Sequence, residues 1–232
     1  MPSNWNKGQT KYTNLSVKKI SDTMKRKKID NFKTWRDKMK IEGKIKSKYL
    51  PFKKDGNLAE LIGVVLGDGH ICRYPRTEEV RITSNSNNQG FILRYAKILE
   101  IVFGKKASII KSSTSNATKI TIYEKNISKR LGIPTGAKKD IDTKVPSWIL
   151  NKKNYIVRYL RGLYEAEGCS CVHLPTYTHK FLFSNKNNSM LKNVYNLMRK
   201  LGFHPHVSKY QIQISRKDEV CEAIEVIGFR KY

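Results

Sequence analysis

From Leu58 onward the chain runs through one pattern twice. The first copy reads LIGVVLGDGHI and then VRITSNSNNQGFILRYAKILEIVFG; the second reads YLRGLYEAEGCSCV and then KFLFSNKNNSMLKNVYNLMRKLGF. Asp68 aligns with Glu167, an offset of 167 − 68 = 99, and Asn85 aligns with Asn185, an offset of 100. Each copy begins with an apolar helix and strand-like segments. An S-N turn then opens an amphipathic helix, followed by further strand alternation and a closing helix. Helical spacing picks out Ile92, Tyr95, Ala96, Leu99 and Val102 in one copy and Leu191, Val194, Tyr195, Met198 and Leu201 in the other. Period-two alternation marks residues 119–122 and 211–214 as strands. A duplication of this kind predicts two αβ halves packed about a pseudo-twofold axis, a symmetry that duplex DNA shares. Between the copies, Pro134, Gly136 and Pro146 punctuate a connector that Trp148 and Ile149 anchor to a core. The expected parts are residues 1–54, 55–150 and 151–232.

Charge sets the first part off from the others. The chain carries a formal net charge of +27 over 232 residues. Residues 1–54 hold 15 Lys and 2 Arg against 3 Asp and 1 Glu, a net of 17 − 4 = +13. A compact domain repels itself at such charge, so a polyanionic partner is expected, nucleic acid before a membrane surface. A helix from the Asn14 to Ser16 cap candidates to about Lys28 would carry Val17, Ile20 and Met24 on one face. A second helix from Asp30 or Asn31 to about Lys40 would carry Phe32, Trp35 and Met39. Two such helices read as a small basic module, with Lys18, Lys19, Lys25 and Lys27 tracking phosphates. The longest apolar run, near 61–66, is far too short to span a membrane, and the polar start of the chain has no signal-peptide core. The four cysteines, Cys72, Cys169, Cys171 and Cys221, include no C-x-x-C pair. They are expected to be thiols in an intracellular, reducing compartment such as the cytoplasm or an organelle matrix.

The apolar helices carry the chemistry. Ala59, Gly63 and Gly67 recur every four residues in the first, and Gly162 and Ala166 do so in the second. Small residues at this spacing form one stripe and let two helix backbones approach closely. Each stripe ends in a carboxylate followed by glycine, Asp68-Gly69 and Glu167-Gly168, which reads as a glycine helix stop. A carboxylate at a helix C-terminus faces the negative end of the macrodipole, at a cost of about 0.3–1 kcal/mol. Pairing the stripes brings both acids to one end, where they also repel each other. A hard divalent cation reverses both penalties. Mg²⁺ suits such oxygen ligands and keeps sites for water and phosphate. Cations so placed support phosphodiester hydrolysis.

The runs LIGVVLGDG, ending Gly67-Asp68-Gly69, and LRGLYEAEG, ending Ala166-Glu167-Gly168, resemble the two motifs of a single-chain LAGLIDADG homing endonuclease. The GIPTG connector, the VPSW segment and the S-N helix starts are similar to that family too, and the resemblance spans about 58–232. It implies an α+β fold of tandem αββαββα halves, with the motif helices at the interface and saddle-shaped antiparallel sheets on DNA. It also implies a monomer that cuts both strands of a long, asymmetric duplex across the minor groove, leaving short 3′ overhangs. Asp68 and Glu167 would be catalytic and bind Mg²⁺, or Mn²⁺, or Ca²⁺ in a non-cleaving state. The carbonyls of Gly67 and Ala166 would assist, and Ala59, Gly63, Gly67, Gly162 and Ala166 would form the helix interface. Leu66 and Glu165 stand where the motif name has its first Asp, a position that does not bind metal. The family also places basic or amide side chains around the metals, for which Lys119, Lys209 and Gln211 are the candidates.

Lys119, Thr121, Gln211 and Gln213 alternate with core-facing isoleucines and would face the major groove. Arg73, Arg76, Arg81, Thr83, His173, Tyr177, His179 and Lys180, in the loop and strand stretches after the motifs, are further DNA-contact candidates. A uniform offset of 100 aligns Arg81 with Phe181, which conflicts with equivalent faces. Two other roles on the same fold remain open: an RNA-binding intron maturase and a non-catalytic DNA-binding regulator.

Overall fold

The computed structural model describes residues 6–44, 46, 48–138, 141–230 and 232. Residues 139 and 140 of the connector lie outside the described residues. The chain forms two compact units, Met1–Tyr49 and Leu50–Tyr232. No described helix is long and apolar enough to cross a membrane.

The first unit holds α1 (Leu15–Arg26) and α2 (Lys33–Ile41). Asn14 caps α1, its Oδ1 accepting from the N–H groups of Ser16 and Val17 at 2.8 and 3.2 Å. Asp30 accepts from the N–H of Phe32 at 3.2 Å and pairs with Arg36, so α2 starts two to three residues later than its apolar spacing suggests. Neither helix contains a buried residue. Phe32 and Trp35, 67% and 53% exposed, form no core here, because an apolar stripe this thin cannot close over itself among so many lysines.

The second unit contains the duplication. Its first half runs α3 (Gly56–Leu66), β1 (Gly69–Arg73), β2 (Glu78–Asn85), α4 (Gln89–Phe103), β3 (Ser108–Lys111), β4 (Ala117–Glu124) and α5 (Ile127–Leu131). A short α6 (Ser147–Leu150) lies in the connector. The second half runs α7 (Lys153–Glu167), β5 (Gly168–His173), β6 (Thr178–Ser184), α8 (Asn188–Lys200), β7 (His206–Ser208), β8 (Gln211–Ile214) and α9 (Lys217–Ile227). Each half is αββαββα, with antiparallel sheets in the orders β1-β2-β4-β3 and β5-β6-β8-β7. Ile71, Val80, Ile82, Ile120 and Ile122 on one sheet, and Phe181, Phe183, Ile212 and Ile214 on the other, are buried with Tyr95, Leu99, Val194 and Met198 of the amphipathic helices. Ile149 is fully buried, and Trp148 packs edge-on against Tyr155 at 5.4 Å.

Two boundaries differ from the sequence reading. Phe52 is buried against Phe103, 4.8 Å between centroids, with the Arg130 guanidinium 3.7 Å above its ring, so residues 50–54 pack with the second unit and not with the basic module. The repeat offset is also not uniform. Gly69 pairs with Ile82 and Gly168 with Phe183, so the offset is 99 on the first strands and 183 − 82 = 101 on the second. The β5–β6 hairpin is two residues longer. Val80 therefore corresponds to Phe181, and Arg81 to Leu182, which removes the conflict of faces.

Candidate metal and nucleic-acid site

α3 and α7 cross at their glycines. A Cβ on Gly63 would collide with the Tyr159 carbonyl and stand 3.0 Å from the Leu163 nitrogen and 3.2 Å from the Gly162 Cα. A Cβ on Gly162 would meet the Glu60 carbonyl and lie 2.7 Å from the Val64 nitrogen. One turn on, a Cβ at Gly67 would strike the Ala166 Cβ. Ala59 is fully buried in the same core. The small-residue stripes thus bring backbone against backbone, at distances no larger residue permits.

The crossing delivers Asp68, just past the end of α3, and Glu167, the last residue of α7, to the same end of the helix pair. The following glycines are not left-handed stops, since Gly69 and Gly168 have no positive φ. They are glycine for space. A Cβ on Gly69 would lie 2.8 Å from the Val65 carbonyl oxygen, and one on Gly168 would lie 2.7 Å from the Tyr164 ring. Each motif turns from helix straight into strand over its own last turn.

Two clefts flank the crossing. One, about 570 Å³, is lined by Glu167, Gly67, Lys138, Asn185 and Gln211; the other, about 670 Å³, is lined by Asp68, Ala166, Glu165, Asn85 and Arg230. Each therefore joins the acid of one helix to the backbone of the other. Asp68 keeps part of its side chain in solvent, yet the crowded backbones desolvate it and Glu167 repels it. Its carboxyl is pushed up to about 7, with Lys138 opposing. Burial also raises the Glu167 carboxyl, again against Lys138. Lys138 is lowered to about 8 by burial, a shift that Glu167 and Asp68 both oppose.

Lys138 is the residue that sequence reading missed. Its Nζ donates to the carbonyls of Val65, Leu66, Gly67 and Gly69 at 2.6, 2.8, 2.9 and 2.6 Å. An ammonium has three protons, so these bonds are partly shared. The cation covers the carbonyl end of α3 beside both acids and answers the macrodipole penalty. Asn185 Nδ2 donates to Glu167 Oε1 at 3.3 Å. Glu165, a motif position with no expected metal role, accepts from Tyr95 at 2.7 Å, Tyr232 at 2.8 Å and Arg230 at 3.4 Å. Glu60, fully buried in α3, pairs with Arg94 and Arg158 and lies 3.8 Å from Arg161, tying α3 to α4 and α7.

The donor chemistry fits a hard divalent cation. Two carboxylates and the carbonyls at two helix ends are all oxygen ligands, and the raised carboxyls mark where positive charge is wanted. No cluster of three or more His, Cys, Asp or Glu is found among the described residues, so such an ion would draw on backbone, water or phosphate oxygens as well. The Gly67 carbonyl already accepts from Lys138, leaving it one further lone pair.

The DNA-contact candidates fall on different faces. On the sheet face opposite the helices, Thr83 and Lys119 pair in one row, and His70, Arg81 and Thr121 in the next. The other sheet presents Ser184 with Gln211, then Leu182 with Gln213, then Lys180 opposite Cys171, and His173 opposite Thr178. Arg76 and Tyr177 lie in the hairpins, and Lys209 in the β7–β8 turn with its Nζ 5.3 Å from the Tyr210 ring. Three placements differ from expectation. Thr121 is only 3% exposed, with its hydroxyl unpartnered beneath its neighbours. Arg73 shares the face of Ile71, and His179 that of Phe181, because period two puts them on the helix side. Arg81 is engaged by Cys72 at 3.2 Å and Glu79 at 3.9 Å. Of the proposed active-site helpers, Gln211 lines the Glu167 cleft; Lys119 and Lys209 line neither described cleft. Lys18, Lys19, Lys25 and Lys27 are exposed on or just past α1.

No family model matches the sequence, and no curated protein matches it. Solved structures match its fold. The homing endonuclease I-DmoI in complex with DNA and Mn aligns with 76% of this chain and 98% of its own at 16% identity, with a TM-score of 0.55. I-DmoI with DNA and Ca aligns with 74% and 88% at 17% identity, TM-score 0.50. The N-terminal LAGLIDADG domain of DUF199/WhiA aligns with 76% and 83% at 15% identity, TM-score 0.51. The chain has the LAGLIDADG fold, an architecture that in I-DmoI is seen with DNA and divalent metal.

Proposed function

We propose that this protein is a metal-dependent, site-specific DNA endonuclease that cuts both strands of a long, asymmetric duplex as a monomer. The observation that carries this reading is the pair of acids at one end of the α3–α7 crossing, each in a cleft with the backbone of the other helix. Asp68 with the Ala166 carbonyl, and Glu167 with the Gly67 carbonyl, would hold two Mg²⁺ or Mn²⁺ ions. When bound, such ions activate water and stabilise the leaving oxygen in phosphodiester hydrolysis. Lys138 keeps positive charge beside both carboxylates and so favours their ionised forms. Gln211 and Asn185 line the Glu167 cleft as polar groups for the scissile phosphate or its water. The outward rows, Thr83 with Lys119 and Gln211 to Gln213, supply donors and acceptors for base edges in the major groove, with the cut across the minor groove between them. The basic first unit extends the footprint along phosphates.

The test is selection of cleaved sites from a randomised duplex library with Mg²⁺, followed by Asp68→Asn and Glu167→Gln on a recovered site. Both variants should bind the duplex, in Ca²⁺ as well, and lose cutting. Full cleavage by both would sink the metal-ligand assignment. Binding without cleavage under any metal would mark a DNA-binding regulator instead, and preference for a structured intron RNA over duplex DNA would mark a maturase.

A further inference from the structure

The Glu167 cleft depends on a segment that is not part of the second half. Lys138 comes from the connector, after the first half has ended, and crosses to reach this cleft. What holds it there is Asn187, the cap of α8. This side chain is buried, and its Oδ1 accepts from the Met190 N–H at 3.1 Å and the Ser189 hydroxyl at 2.7 Å. Its Nδ2 points the other way and donates to the carbonyls of Lys138 at 2.9 Å and Ile141 at 2.8 Å. One amide thus joins the start of α8 to the main chain of the very residue whose ammonium sits among the α3 carbonyls. Ser189 reinforces the seam, bonding the Thr143 N–H at 2.9 Å and its hydroxyl at 2.8 Å. The same turn reaches the acid, since the Asn187 N–H donates to Asn185 Oδ1 at 2.8 Å while Asn185 Nδ2 donates to Glu167.

The first half repeats the turn without the latch. The Asn87 N–H donates to Asn85 Oδ1 at 2.9 Å, but Asn87 is exposed, and the segment packed at the start of α4 is Tyr232, whose ring occupies the space a Cβ on Gly90 would need. We infer that Asn187 is a positioning residue for the Glu167 cleft, fixing Lys138 and Asn185 about it, and that Asp68, in the other cleft, depends on it less. This rests on the nuclease reading and assigns the residue mainly to one of its two strand cuts.

Asn187→Asp is the informative variant, because aspartate still caps α8 but cannot donate to the two connector carbonyls. A duplex recovered by the Mg²⁺ selection is labelled on one strand at a time, and each nick is timed. The variant should slow one nick by about 10- to 100-fold, the scale of a misplaced catalytic group, and slow the other, whose acid also lies beside Lys138, distinctly less. Adding it to Lys138→Ala should cost nothing further, since both act through the same ammonium. Equal slowing of both nicks, or an undiminished additional loss in the double variant, overturns the inference while the nuclease reading stands. A wild-type protein that nicks neither strand of any library duplex overturns both.

Discussion

Replacing Gly63 by alanine tests the helix crossing without reference to activity. In an isolated helix the change is favourable by about 1 kcal/mol. Here the new methyl would meet the Tyr159 carbonyl, the Leu163 nitrogen at 3.0 Å and the Gly162 Cα at 3.2 Å, all of them backbone. Backbone cannot rotate aside, so the helices must part, and overpacking of this kind costs about 3 kcal/mol, the upper end of its usual range. The net expectation is a destabilisation of about 2 kcal/mol, which lowers Tm by roughly 4–8 °C for a unit of this size. The assay is thermal and urea unfolding of the full chain with and without the substitution. Separation of the helices should also weaken Mn²⁺ binding, since Asp68 and Glu167 lie at the ends of the two helices that part. Gly63→Ala that raises Tm, as helix propensity alone would have it, refutes the close crossing.

Three other outcomes are expected. Asp68, pushed up to about 7 from 3.8, binds a proton in the metal-free fold over a pH range where the unfolded chain has lost it. Stability without metal should therefore fall as pH rises from about 4 to 7, measured by urea unfolding at each pH, and Asp68→Asn should flatten that slope; an equal slope in the variant would assign it to other groups. Glu60→Leu leaves Arg94, Arg158 and Arg161 around no anion and should destabilise by about 3 kcal/mol in chemical denaturation, whereas a neutral result would show that solvent serves the arginines equally well. Deleting residues 1–49 should weaken duplex binding and flatten the dependence of log K on log salt by about 0.9 for each phosphate no longer neutralised, and an unchanged slope would remove the first unit from the footprint.

The scaffold was legible because its signals are periodic and doubled. Ile120 and Ile122 alternate with polar residues, Tyr95 and Leu99 recur at helical spacing, and Gly63 and Gly67 stand in a stripe with a counterpart in Gly162 and Ala166. The position of Asp68 and Glu167 at the ends of the two motif helices was legible for the same reason, each ending a stripe. Lys138 was not, because one lysine among 46 basic residues carries no mark in the sequence, and its role comes from a connector crossing between halves. The offset of 99 against 101 was hidden too, since a hairpin lengthened by two residues preserves the inward and outward alternation on either side of it. Phe32 and Trp35 misled in the opposite sense. Their spacing is helical and they do lie in or beside a helix, but spacing alone cannot say whether anything covers them.

The single methyl that separates Gly67 from Ala166 has a further consequence. The two residues occupy equivalent places in the duplication, and the Ala166 methyl fills the space that glycine leaves. Two second halves set together would bring alanine onto alanine beside the acids, and two first halves would leave a gap of one methyl there. Each half therefore fits the other better than it fits a copy of itself. Separated into fragments, the halves should reassemble as a heterodimer in preference to either homodimer, so that the duplication yields a pairing that neither half can make with a copy of itself.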